Sequence, residues 1–276
     1  MAENISKQQL EIRVGTHGED YGSWMSNPVF YVFGGLMLLA AVLAVLSFTT
    51  FHLTVLGVLL AVVTAALLIM LIWMAWIRRQ YAFGKGGMME RVHQFILSNL
   101  DFDGHGEVLE VGCGSGALIV RTALTWPEAK ITGLDYWGAM YNYSKSVCEQ
   151  NAASEGVGGR CTFVHGDANK LDFPDERFDA VISRNLTWNL PHPDRAYAEW
   201  TRVLKKGGVL LNFDANYGIT DFSNVEDLPE NHAHNMLGNE MMRECEEIKR
   251  QLPISSYSRP AWDLETLGAM SLKEFH

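Results

Sequence analysis

The stretch Val108-Leu109-Glu110-Val111-Gly112-Cys113-Gly114-Ser115-Gly116 decides how this chain folds. Its first four residues belong to a buried strand read over Glu107–Val111. The glycines that follow permit a tight turn with a ligand close to the backbone. Directly after it, Ala117–Thr125 reads as a helix whose first N–H groups have no partner within the helix. With Ala117 the stretch also fits the spacing G-x-G-x-x-A of dinucleotide-binding turns. Nineteen residues beyond Gly116, Asp135 ends the next strand. A carboxylate there can accept hydrogen bonds from both hydroxyls of a ribose.

Outward from this turn, strands and helices alternate. Lys130–Asp135, Arg160–His165, Phe178–Ser183 and Gly208–Asp214 read as strands. Met140–Ala153, Asp194–Leu204, Glu240–Gln251 and Trp262–Met270 read as helices. Ahead of the turn, Met89, Val92, Phe95, Ile96 and Leu100 recur at helical spacing, so Met88–Leu100 reads as a lead-in helix. Alternation of this kind predicts an α/β fold: a Rossmann-like, doubly wound, mostly parallel sheet with ligands at the C-terminal strand ends.

Three features favour one ligand class over the nicotinamide dinucleotides. Glu110 lies two residues before the first glycine, where a dehydrogenase usually carries an apolar residue. Gly166-Asp167-Ala168 follows the third strand, and Leu204-Lys205-Lys206-Gly207-Gly208 leads into the fifth. On these motifs, Gly106 to Tyr217 resembles a class I S-adenosylmethionine-dependent methyltransferase of the broad type 11 group, which includes quinone- and sterol-methylating enzymes. The resemblance implies that Glu110 holds the cofactor's amino-acid portion and that Gly112, Cys113, Gly114 and Gly116 make room for it. It implies that Asp135 binds the ribose, with Tyr136 and Trp137 beside the adenine. Asp167 and the backbone of Ala168 would meet the adenine amino group, and Ser183 and Arg184 would border the methionine part. An NAD(P)-dependent oxidoreductase and a non-catalytic, membrane-anchored binding module on the same fold stay open as alternatives.

Methyl transfer from a sulfonium needs alignment and exclusion of water above all. A general base is needed only when the acceptor must lose a proton. The acceptor is expected near Asn185 and Trp188, after the fourth strand, and near Asp214 and Tyr217, after the fifth. His192 is the candidate base, since histidine ordinarily titrates near neutrality. The stretch after Ser183 lacks the Asn-Pro-Pro-Tyr signature of enzymes that methylate nucleic-acid amines. Tyr141-Asn142-Tyr143-Ser144-Lys145 imitates the Y-x-x-x-K pair of short-chain dehydrogenases, but it falls on the helix after the second strand, remote from that fold's substrate end. His232 and His234 have no Cys or third His close by, so no metal is expected.

From Tyr21 to Ile77 there is no Asp, Glu, Lys or Arg, and two apolar runs, Val29–Phe48 and Leu53–Ile77, lie within that span. Each exceeds or matches the roughly 20 helical residues that cross a bilayer core. The uncharged link Thr49–His52 predicts an antiparallel transmembrane hairpin. Arg78, Arg79 and Lys85 follow it, Lys7 and Arg13 precede it, and its tip carries no positive charge, so both ends and the catalytic domain are expected in the cytoplasm. Trp24, Tyr31, Trp73 and Trp76 would lie at that interface. The chain then divides into an N-terminal segment 1–27, the hairpin 28–77, a linker with the lead-in helix 78–105, and a catalytic domain 106–276.

The formal net charge of −10 argues against general nucleic-acid binding and leaves the bilayer and a small-molecule or lipid acceptor as expected partners. Cys113, Cys148, Cys161 and Cys245 form no CxxC pair and are expected to be reduced thiols. After the last helix only Leu272–His276 remain, room for one strand where class I methyltransferases usually have a sixth and an antiparallel seventh. A missing final strand would leave a sheet edge open to pairing between copies of the chain, as a homo-oligomer.

Overall fold

The computed structural model describes residues 27–81, 87–138, 143–216, 239–270 and 272. The expectations for Lys7, Arg13, Trp24, Lys85, Tyr141, Tyr217, His232, His234 and the strand after Leu272 lie outside these residues, as does the side chain of Cys245.

Two long helices come first: α1 (Asn27–Thr49) and α2 (Thr54–Tyr81). They pack against each other along a seam with alternating spacings of three and four. Ala40, Ala44 and Ser47 are buried on α1, and Gly57 and Met74 on α2. That spacing keeps one stripe of each helix facing its neighbour. Gly57 lies close under the Phe48 ring: a Cβ at that position would stand 2.7 Å from it, so a larger residue would have to displace the ring. Gly34 and Gly35 would meet nothing within 4 Å, so they are ordinary helix glycines and not a close-approach motif. Away from the seam, Leu38, Leu39, Val42, Val55, Leu59, Val62, Ile69 and Ile72 are exposed. Both helices are long and apolar enough to cross a membrane. A soluble core helix would bury such residues, whereas these helices turn them outward. At the base of the hairpin, Arg78 Nη1 donates to Asn27 Oδ1 at 2.6 Å, and its guanidinium lies 5.5 Å from the Phe30 ring centroid.

The remaining elements are α3 (Met88–Ser98), β1 (Gly106–Val111), α4 (Ala117–Thr125), β2 (Ala129–Asp135), α5 (Lys145–Ser154), β3 (Cys161–His165), β4 (Phe178–Arg184), α6 (Pro193–Val203), β5 (Leu204–Phe213), α7 (Asn239–Arg250) and α8 (Ala261–Ala269). The five strands form one sheet in the order β3-β2-β1-β4-β5, and every pairing is parallel. The strand order reverses between β1 and β4, which opens a crevice at their C-terminal ends.

Strand alternation gives the sheet two cores. Val108, Ile131, Ala180 and Ile182 pack beneath α3 and α4 on the first face. Leu109, Val111, Val181 and Leu204 pack against Tyr197, Trp200 and Val203 of α6 on the second. The lead-in helix α3 is anchored in the first core by Ile96, Leu97 and Leu100. Each such side chain contributes about 1.5–3 kcal/mol of burial.

Two local expectations are corrected. Phe95 points outward with 57% of its surface exposed, while His93 is 1% exposed. The outward Phe95 ring finds a partner in Phe213, edge to face at 5.9 Å. The Lys205–Gly208 segment is also no simple entry turn. Phe178 pairs with Leu204 but Ala180 with Val209, so the segment bulges from a strand that begins earlier than Gly208. Gly207 at φ +81° makes the bulge possible.

Candidate active site

The crevice is built around the glycine turn. Gly112, Gly114 and Gly116 have φ values of +77°, +55° and +78°, a region that side-chain-bearing residues rarely adopt. A Cβ on Gly112 would stand 2.9 Å from Leu186, whereas one on Gly114 would meet nothing closer than Tyr143 at 3.8 Å. The turn is therefore packed on one side and open at Gly114. Cys113 is buried within it, as a small packing residue, and its hydrogen bond with Cys148, together with burial, pushes its thiol pKa up.

Asp135 secures this turn. Its Oδ2 accepts from the Gly114 N–H and its Oδ1 from the Trp137 N–H, both at 2.8 Å. The Trp137 indole donates to the Gly114 carbonyl, also at 2.8 Å. A carboxylate has about four acceptor directions, so each oxygen retains one for a ligand. Tyr136 is exposed beside His165, with ring centroids 5.1 Å apart.

Glu110 lies behind the turn and is 3% exposed. It accepts from the Ile119 N–H at the start of α4, and its Oε2 has no hydrogen-bond partner among the described residues. Burial raises its pKa to about 8; the Asp135 charge adds to this, and Arg184 opposes it. Arg184, ending β4 on the same face, donates to Met89 Sδ at 3.5 Å. Arg121 of α4 donates to the Glu90 carbonyl at 3.0 Å. Burial and these two arginines hold His93 well below the usual histidine range. The lead-in helix thus borders the Glu110 side of the crevice, a contact that spacing alone did not reveal.

On the second face the expected acceptor residues form a polar knot. Asp214 is almost wholly buried. Its Oδ2 accepts from the Thr187 hydroxyl and from the Trp188 N–H at 3.0 Å. Asp214 therefore spends its carboxylate on the loop after β4. Asn185 adopts φ +54°, and Trp188 Nε1 donates to its carbonyl at 3.1 Å. Ser183 Oγ is buried without a partner among the described residues. His192 caps α6 with no side-chain hydrogen bond and is exposed. Asp167 is exposed; its Oδ1 accepts from the backbone and side-chain N–H groups of Asn169, and the Ala168 carbonyl accepts from Trp200 Nε1 at 3.1 Å. The sequence did not single out Thr187, Tyr197, Asn212, Arg259 or Asp263, which complete the knot.

Residues 109–212 match the family model described as "Methyltransferase domain". This part of the chain is a class I methyltransferase domain. The cofactor of the class is S-adenosylmethionine, and the nicotinamide alternative finds no support in the match. A sterol 24-C-methyltransferase of Gibberella zeae is 30% identical over 153 residues, 55% of this chain and 38% of that protein. A fatty-acid O-methyltransferase of Mycolicibacterium smegmatis is 39% identical over 125 residues, 45% of this chain and 42% of that one. A phosphatidylethanolamine N-methyltransferase of Cereibacter sphaeroides is 32% identical over 136 residues, 49% and 62% respectively. Each match thus spans less than two thirds of the relative's own length.

The methyltransferase domain fits its cofactor on two structural observations. Glu110 Oε2 is a buried acceptor without a partner among the described residues, suited to the ammonium of a methionine portion. Gly114 leaves open the space that a side chain would fill.

Proposed function

We propose that this protein is a membrane-anchored methyltransferase that moves the methyl group of S-adenosylmethionine to a lipophilic acceptor at the bilayer surface. The observation that carries the reading is the unpartnered Glu110 oxygen behind the open glycine turn, in a methyltransferase domain that follows two outward-apolar helices. The three relatives cited are named for sterol, fatty-acid and phospholipid acceptors, which supports the same substrate class here. The ends of the hairpin are held together by Arg78 and Asn27, and the basic residues at those ends favour a cytoplasmic domain.

When bound, the cofactor supplies an electrophilic methyl group on a sulfonium. Glu110 would hold its ammonium, with Gly112, Cys113, Gly114 and Gly116 lining the methionine portion. Asp135 would take the ribose hydroxyls, and Tyr136, Trp137, Asp167 and Ala168 the adenine. Ser183 and Arg184 lie between cofactor and acceptor in this reading. Asn185 and Trp188 border the acceptor, and Asp214 fixes their loop. For an acceptor that must lose a proton, we assign that role to His192, at the rim of the same loop.

The test is incubation of membranes holding the full-length protein with radiolabelled S-adenosylmethionine and vesicles of phosphatidylethanolamine, a sterol and a free fatty acid. Label is expected in the organic extract, together with protein that resists a carbonate wash. Absence of cofactor binding by the intact protein sinks the reading.

A further inference from the structure

Arg259 lies just ahead of α8, and its side chain is only 8% exposed. Its guanidinium donates to Asp263 at 2.8 and 2.9 Å, to Thr187 Oγ1 at 2.9 Å and to the Ala215 carbonyl at 3.3 Å. It also stands 3.7 Å from Asp214 Oδ2. Its own carbonyl accepts from Asn216 Nδ2 at 2.8 Å. One residue near the chain's C-terminus therefore grips both banks of the crevice: the loop after β4 through Thr187, and the chain leaving β5 through Ala215 and Asn216. Asp263 in turn accepts from Tyr197 of α6 at 2.6 Å.

The loop between Asn185 and Leu190 has little of its own to hold it. It contains one 3₁₀ turn, with backbone bonds from Asn189 to Leu186 at 3.1 Å and from Leu190 to Thr187 at 3.3 Å. A single turn fixes more dihedral angles than it makes hydrogen bonds, so it does not persist unsupported. Beside the Asn212 amide on Thr187 and the packing of Leu186 and Leu190 in the second core, its support is the Asp214 carboxylate and the Arg259 fork. Both belong to the second face of the sheet, whereas Glu110 and Arg184 belong to the first.

We propose that Arg259 is a positioning residue that sets the shape of the acceptor loop from Asn185 to Leu190, and with it acceptor turnover, without acting on the cofactor. The proposal rests on the methyltransferase reading for its kinetic part only. Removing the guanidinium outright would leave Asp214 and Asp263 buried without their cation, which is expected to unfold the region. Two milder variants avoid this. Arg259→Lys keeps the charge but loses the planar fork. Thr187→Val keeps the shape and removes the hydroxyl through which Arg259 and Asp214 both hold the loop.

The experiment uses full-length protein in nanodiscs. Hydrogen exchange is followed at the amides of Trp188 and Leu190. S-adenosylmethionine affinity is measured by calorimetry, and initial rates are taken against the acceptor that the vesicle panel identifies. Exchange of the loop amides is expected to quicken about tenfold in Arg259→Lys, the equivalent of one lost hydrogen bond, and by at least as much in Thr187→Val. Acceptor kcat/KM is expected to fall by a similar factor while cofactor Kd stays within about twofold. Unchanged exchange overturns the proposal, and so does cofactor affinity falling in step with turnover. If the wild-type chain transfers no methyl group, the methyltransferase reading fails, yet the exchange readout still decides whether Arg259 holds the loop.

Discussion

Replacing Glu110 by glutamine separates the charge of this residue from its place in the packing. Glu110 is 3% exposed, and its carboxyl holds a proton up to about pH 8 in the cofactor-free protein. Holding a ligand ammonium requires the ionised form. One pH unit below the pKa, ionisation costs about tenfold in binding, and two units below it about a hundredfold. The Kd for S-adenosylmethionine is therefore expected to fall about tenfold per unit between pH 6 and 7.5. This window lies below the titration of the ligand's own α-amino group. Binding should release close to one proton, which calorimetry in two buffers of different ionisation heat counts directly. Glu110→Gln should bind with no pH dependence across this window, and at pH 7.5 more weakly by on the order of 10-fold or more. A wild-type Kd equal at pH 6 and 7.5, or a glutamine variant that tracks the wild type, would refute the role of Glu110.

The same shift fixes a stability sign. The folded-state pKa is raised to about 8 from an ordinary 4.5. Between those values the folded chain keeps a proton that the unfolded chain has lost, so wild-type stability falls as pH rises through this range. Glu110→Gln removes that loss. Its stability relative to wild type should increase from pH 5 to pH 8 by on the order of 3–4 kcal/mol in urea titrations.

Other outcomes follow from single positions. Asn185→Gly should be nearly neutral in thermal unfolding, while Asn185→Val should cost about 1–3 kcal/mol, because φ +54° penalises a β-branched residue. Val62→Lys places a charge on the outward face of α2 midway along the hairpin; at the bilayer centre it should cost about 3 kcal/mol and lower the carbonate-resistant fraction. Leu109→Ala, wholly buried in the second core, should destabilise by about 2–5 kcal/mol in urea titration with cofactor Kd unchanged at saturating folded protein.

The fold was legible because its signals are local. The glycine turn, the apolar strands and the 3.6-residue periodicity each lie within about ten residues, and β1, α4 and β2 form where those signals stand. The hairpin is equally plain, since a charge-free span of this length has few other solutions in water. Glu110 and Asp135 likewise stand at fixed sequence distances from the turn, and the structure places Asp135 on Gly114 and Glu110 on the first turn of α4. The polar knot on the second face was not legible. Thr187 and Arg259 are 72 positions apart, and Asp214 looks like any polar strand-end residue until its partners are in place. The only local trace is the spacing of four between Arg259 and Asp263, which many surface helices share. Phe95 and His93 exchanged their expected places for a related reason. Helical periodicity counts apolar residues, but the neighbours, here Phe213, Arg121 and Arg184, decide which side chain is covered.

The bulge in β5 connects these two halves of the site. Asn212 faces Tyr197 and Thr187 on the second face, donating to them at 2.8 and 3.3 Å. Phe213, the next residue, faces Phe95 on the first. Side chains alternate along a strand, so a slip of one residue would exchange the two. It would put an apolar ring into the Arg259 knot and an amide against the lead-in helix. The pairing that prevents this is set after the bulge, from Ala180 with Val209 onward to Arg184 with Phe213. The bulge is held by Gly207 in the left-handed region and by Gly208, where a Cβ would stand 2.8 Å from the Asp179 carbonyl oxygen. Lys205 pins the same segment to Asp179 at 2.8 Å. The Lys205–Gly208 motif therefore acts at a distance from the chemistry. It fixes the register that delivers Asn212 to the loop after β4 and Phe213 to the lead-in helix on the Glu110 side of the crevice.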